Sequence, residues 1–196
     1  MVSITTNNTL RLQDGRQLGY ADYGDASGKP IFFFHGTPGS RLSGLLPGVV
    51  AGPLGARVIA IDRPGYGLSD FKSGRTIGDW PRDVTELADA LGFERFAVLG
   101  FSGGGPYAAV CAHQIPQRLT QVGIVSGIGP LDARSARASS TRMQRFRFWG
   151  ARHLPRLVRL AVWWSLRGVK RSPERFFAAW AASVSDYDRS VLARPA

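Results

Sequence analysis

Four short apolar runs punctuate the first two thirds of the chain: Pro30–Phe34, Arg57–Ile61, Arg95–Leu99 and Gln121–Ser126. None alternates polar with apolar residues, the pattern of a strand buried on both faces. Ahead of them, Thr9–Leu12 and Gln17–Tyr23 flank Asp14-Gly15, a hairpin signal. Helical periodicity falls between the runs. Ile77–Leu91 sets Trp80, Val84, Leu87, Ala88 and Leu91 on one face, with Thr76 as its cap, and Gly104–Gln114 forms a second helix ended by Pro116. A hairpin leading into strand–helix repeats predicts an α/β fold with a mostly parallel sheet covered by helices.

From about Pro130 the pattern changes. Arg142–Arg152, Pro155–Arg167 and Pro173–Ser183 read as successive helices with no strand between them, and Pro155 and Pro173 suit first-turn positions. Charge marks the same boundary. Of the net charge of +11, residues 131–196 hold 14 Lys+Arg against 4 Asp+Glu, while residues 1–130 hold 11 against 10. Two segments are therefore expected, a nearly neutral body over 1–130 and a basic helical segment over 131–196.

Composition narrows the class. Apolar residues at 44% and charged residues at 20% describe an ordinary folded chain. A single cysteine, Cys111, excludes a disulfide framework and fits a reducing compartment, so a cytoplasmic location is expected. Met1–Thr9 lacks the basic and apolar regions of a signal peptide. Leu154–Leu166 is broken as a membrane span by Pro155, Arg156 and Arg159. The basic segment carries Phe146, Phe148, Trp149, Trp163, Trp164, Phe176, Phe177 and Trp180. Its arginines are read as a solvated, snorkelling face. A membrane-surface role is the less favoured reading, and no nucleic-acid partner is expected because no such motif is present.

Two motifs carry chemistry. Gly100-Phe101-Ser102-Gly103-Gly104 fits G-x-S-x-G, which places a serine on a sharp strand-to-helix turn at the end of a sheet. The buried run before it and the helical run after it supply that context. A phosphate loop would need Gly-Lys-Ser/Thr, and a dinucleotide fingerprint would need a glycine where Ser102 stands. Upstream, His35-Gly36-Thr37-Pro38-Gly39 follows the run ending at Phe34. Acyl transfer needs two donors for the oxyanion. The N–H of Gly103 suits one and the N–H of Thr37 the other, whereas Pro38 has none to offer.

Together HGTPGSR (35–41), DRPGYGLSD (62–70) and GFSGGG (100–105) resemble the α/β-hydrolase superfamily, most closely its capped esterase, epoxide-hydrolase and proline-iminopeptidase-like branch. The resemblance covers about residues 9–130. It implies Ser102 as nucleophile, Thr37 and Gly103 as oxyanion donors, and His35 and Gly36 as loop-positioning residues. It also implies a helical cap over Ser102 lining a pocket for a small apolar acyl or aromatic substrate, with no cofactor and no metal. Asp62–Ser69 is then a loop at the rim, read as a turn held by Pro64, Gly65 and Gly67 without a catalytic role.

The serine's partners are not apparent. In this fold the order is Ser, then Asp/Glu, then His. His35 precedes Ser102. His113 follows it by 11 residues on one helix, roughly 16 Å away at 1.5 Å per residue. His153 lies in the basic segment, Asp132 stands beyond the position expected for an acid, and Asp186 and Asp188 are farther still. Family members continue into further strands that carry the acid and the histidine. The chain is therefore expected to be C-terminally truncated, with an incomplete sheet lacking the last strands, an exposed sheet edge and doubtful turnover. Three functions follow: a serine hydrolase of esters, amides or similar small substrates; a non-catalytic remnant or interaction protein; and a non-hydrolytic member such as a cofactor-free dioxygenase or perhydrolase.

Overall fold

The computed structural model describes residues 2–129 and 142–183. The chain divides into two units, Met1–Ala133 and Arg134–Ala196.

The first unit is built on a six-stranded sheet. Its strands are β1 (Val2–Arg11), β2 (Gln17–Asp25), β3 (Lys29–Phe34), β4 (Ala56–Ile61), β5 (Phe96–Phe101) and β6 (Leu119–Val125), in the order β1-β2-β4-β3-β5-β6. Strand β2 runs antiparallel to β1 and to β4, and β4, β3, β5 and β6 are mutually parallel. The four apolar runs are the four parallel strands, displaced by a residue or two at their ends.

Side-chain alternation along β3 builds the core on both faces. Phe32 and Phe34 join Ile59, Ile61, Trp80, Val84, Leu87, Phe96 and Cys111 on one face, beneath α2 (Trp80–Ala90) and α3 (Gly105–Gln114). Phe33 joins Tyr23, Val58, Ala60 and Ala51 on the other, against α1 (Leu45–Ala51). Thr76 caps the 3-10 turn Ile77–Asp79 that leads into α2, through a capping box with Asp79, whose carboxylate accepts from the Thr76 N–H at 2.7 Å.

Two elements lie outside the periodicity of the sequence. Strand β1 extends back through the mostly polar stretch Val2–Thr9, because pairing with β2 satisfies its backbone whatever its side chains. Helix α1 contains Pro47 and Gly48, which disguise it. Gly48 sits against Tyr23 so closely that any side chain there would collide with the tyrosine ring and its Cβ.

Strand β6 stands last in the order. Among the described residues it pairs only with β5, and Val122, Ile124 and Val125 are each 42–50% exposed. The second unit contributes α4 (Arg142–His153), α5 (Pro155–Arg171) and α6 (Pro173–Ser183). Within α5 the Arg167 guanidinium lies 3.9 Å over the Trp163 ring, one turn away. Among the described residues, no helix is long and apolar enough to cross a membrane.

Candidate active site

The turn at Ser102 is made by what its neighbours lack. A Cβ on Gly100 would lie 2.6 Å from the Gly104 carbonyl oxygen, and one on Gly104 would collide with the Phe34 carbonyl. Glycine at both positions lets β5 turn sharply into α3 against the end of β3. Ser102 itself takes φ 50°, the left-handed region that a non-glycine residue occupies only at a cost. Its carbonyl is held from two sides, by the Gly105 N–H and by the Ile128 N–H at 3.3 Å. Ser126, at the end of the neighbouring strand, also has φ 50°.

The loop after β3 arrives at the same point. A Cβ on Gly36 would lie 3.2 Å from Ser102 Cβ, and one on Gly103 would lie 3.3 Å from the Thr37 nitrogen. The structure therefore brings together Gly36, Thr37, Ser102 and Gly103, the residues that the two motifs single out. The Thr37–Pro38 peptide is cis.

His35 is fully buried. Its Nε2 accepts the Arg63 backbone N–H at 3.3 Å, so Nδ1 carries the proton and donates to the Gly36 carbonyl at 2.8 Å. Burial, with the Arg63 charge assisting, pushes its pKa down to about 4. A neutral imidazole with both nitrogens engaged braces this loop and has no lone pair left for proton transfer.

The loop following β4 is more closely involved than a rim turn. Asp62, fully buried, pairs with Arg41 at 2.9 Å and accepts the N–H groups of Arg41 and Leu68. Arg63 turns the other way. Its Nη1 donates to the Gly103 carbonyl at 3.3 Å, and Nη2 donates to the Gly36 carbonyl at 2.9 Å and to Thr37 Oγ1 at 2.7 Å. One side chain thus ties the loop after β3 to the turn at Ser102. Its only sequence signal is its place beside Asp62 in DRPGYG, because the partners lie 26 to 40 residues away.

No base or acid reaches the serine among the described residues, and no side chain there is hydrogen-bonded to Ser102 Oγ. His113 is exposed in the last turn of α3. His153 belongs to the second unit, where its ring lies 5.1 Å from that of Trp149. Asp132, Asp186 and Asp188 lie outside the described residues. Cys111 is fully buried, and burial pushes its thiol up to about 12, which leaves it inert as a nucleophile. Among the described residues there is also no cluster of three or more His, Cys, Asp or Glu suited to a metal ion.

Comparison with known proteins converges on one family. The family model for the alpha/beta hydrolase fold matches residues 29–154. A non-heme chloroperoxidase of Streptomyces lividans is 34% identical over 129 residues, covering 65% of this chain and 47% of its own. A proline iminopeptidase of Xylella fastidiosa is 30% identical over 122 residues, covering 61% and 38%. Among solved structures, an esterase from Exiguobacterium antarcticum superposes with a TM-score of 0.54 at 24% identity, covering 63% of this chain and 46% of that one. This chain spans less than half the length of these proteins.

Proposed function

We propose a serine-hydrolase function from one premise: this chain belongs to the family of the α/β-hydrolase fold. Ser102 is the nucleophile, attacking the carbonyl carbon of an ester, amide or similar small substrate. The Thr37 and Gly103 N–H groups receive the carbonyl oxygen as it becomes an oxyanion, and His35 and Gly36 shape the loop that presents Thr37. The observation that carries this reading is the meeting of the left-handed Ser102 with Gly36, and of Gly103 with Thr37, at the ends of β5 and β3. Phe101, 46% exposed beside the serine, favours an apolar acyl or aromatic group. Because no base engages Ser102 among the described residues, the proposal extends to little or no turnover by this chain alone.

A second reading has its own support. Non-heme chloroperoxidase and haloperoxidase are among the proteins at 32–34% identity. In that chemistry hydrogen peroxide would replace water on an acyl-Ser102, releasing a peracid and restoring the hydroxyl. Both readings share Ser102, Thr37 and Gly103.

A fluorophosphonate probe tests the nucleophile. Labelling abolished by Ser102→Ala supports the assignment, and labelling that survives the substitution overturns it. An unlabelled wild-type chain would instead favour a non-catalytic member of the fold.

A further inference from the structure

Each candidate oxyanion donor is one end of a peptide unit, and the other end of that unit is held. For Gly103 N–H, the opposite end is the Ser102 carbonyl, bonded by the Gly105 and Ile128 N–H groups. For Thr37 N–H, it is the Gly36 carbonyl, bonded by His35 Nδ1 and by Arg63 Nη2. A trans amide points its N–H away from its carbonyl. Holding the Gly36 oxygen from the protein side therefore aims the Thr37 N–H the other way, and a cationic donor on that oxygen polarises the amide and strengthens its N–H as a donor.

Arg63 is unusual for a buried cation. It is 4% exposed, and among the described residues no carboxylate pairs with it. Its guanidinium lies 4.8 Å from the ring centroid of Tyr66 and 4.9 Å from that of Tyr107. Its Nε has no hydrogen-bond partner. A buried charge without a counter-ion disfavours folding. Its presence next to Thr37 and Gly103 is accounted for if a negative charge develops there.

We propose that Arg63 is a positioning residue for the oxyanion donors: its fork fixes the Gly36–Thr37 peptide and the Gly103 carbonyl together, and its unneutralised charge makes the site selective for an anion. This deepens the serine-hydrolase reading and rests on its placement of the oxyanion between Thr37 and Gly103. Lysine cannot substitute, because a single ammonium cannot span the Gly36, Thr37 and Gly103 oxygens while also lying over the Tyr66 and Tyr107 rings.

The test uses amide NMR of the full chain titrated with methylphosphonate, a tetrahedral anion, and in parallel with its neutral dimethyl ester. In the wild type the Thr37 and Gly103 amides should respond to the anion and much less to the ester. Arg63→Met should weaken anion binding at least about tenfold and abolish the preference over the ester, whereas mere loosening of the loop would weaken both ligands alike. Arg63→Lys, the milder change, should keep some preference for the anion but lose the Thr37 response, and it decides the matter if Arg63→Met does not fold. Anion binding at Thr37 and Gly103 that is unchanged in the foldable variant overturns the inference, as does a wild type in which those amides are silent. The titration needs no reactive serine. Failure of fluorophosphonate labelling with an intact titration would therefore count against the nucleophile and not against Arg63.

Discussion

Gly103 and Thr37 face each other so closely that a methyl group on Gly103 would lie 2.8 Å from Thr37 Oγ1. The two residues whose backbone N–H groups are proposed to share an oxyanion therefore lie in close contact, with no room for a side chain on Gly103. Gly103→Ala should push the Thr37 loop outward and slow Ser102 phosphonylation by a fluorophosphonate by about ten- to a hundredfold. Thermal melting should change little, because Gly103 is not among the glycines with positive φ. An undiminished labelling rate in a folded variant would show that this contact does not set the donor geometry.

The left-handed backbone at Ser102 allows a separation of strain from chemistry. Ser102→Ala removes the hydroxyl and keeps a Cβ at φ 50°. Ser102→Gly removes both, and should be more stable than the alanine variant by about 1 kcal/mol despite glycine's greater freedom when unfolded. Denaturant titration of the pair measures it. An alanine variant as stable as the glycine variant would mean that the turn carries no strain.

His35 gives the first unit a pH dependence of definite sign. Its folded pKa is about 4 against an ordinary value of 6.5, lowered chiefly by burial. The unfolded chain thus takes up a proton that the folded one refuses. Stability from this residue is complete above pH 6.5 and drains as pH falls towards 4, by up to about 3 kcal/mol. Urea midpoints between about pH 7 and about pH 4.5 should fall, and His35→Asn should lower the midpoint at neutral pH but flatten the slope. Equal slopes in the two proteins would exclude His35 as the cause.

Arg41 and Asp62 form a buried ion pair with side-chain exposures of 8% and 0%. Removing one partner leaves the other charged and unpaired, so Asp62→Ala should cost about 3–5 kcal/mol in urea denaturation. Arg41→Met with Asp62→Leu should recover part of that loss. A double variant less stable than Asp62→Ala would place the value of this pair in its hydrogen bonds to Leu68, Thr6 and Asn7 rather than in its charge balance.

Strands β3 and β4 were readable because burial on both faces leaves unbroken apolar runs, Ile31–Phe34 and Val58–Ile61, whereas β6 shows a similar run in Gln121–Ser126 although Val122, Ile124 and Val125 are half exposed. The elbow was readable because steric closeness demands glycine at fixed spacing from Ser102. Helix α1 was not, because Pro47 breaks its pattern and Gly48 answers to the packing of Tyr23 rather than to helical periodicity. Nor was β1 before Thr9, where the partner strand, not the side chains, satisfies the backbone.

By itself, then, the sequence determined the fold family, the order of the strands and of the helices other than α1, and the serine at the end of β5, since each rests on local pattern. Only the tertiary structure decided that Gly36 and Thr37 meet Ser102 and Gly103, that His35 is neutral and fully engaged, and that Arg63 joins the two motifs. These depend on contacts that span 26 to 40 residues for Arg63 and about 66 for the meeting of the two motifs, where burial and hydrogen-bond geometry, and not spacing, choose the partners.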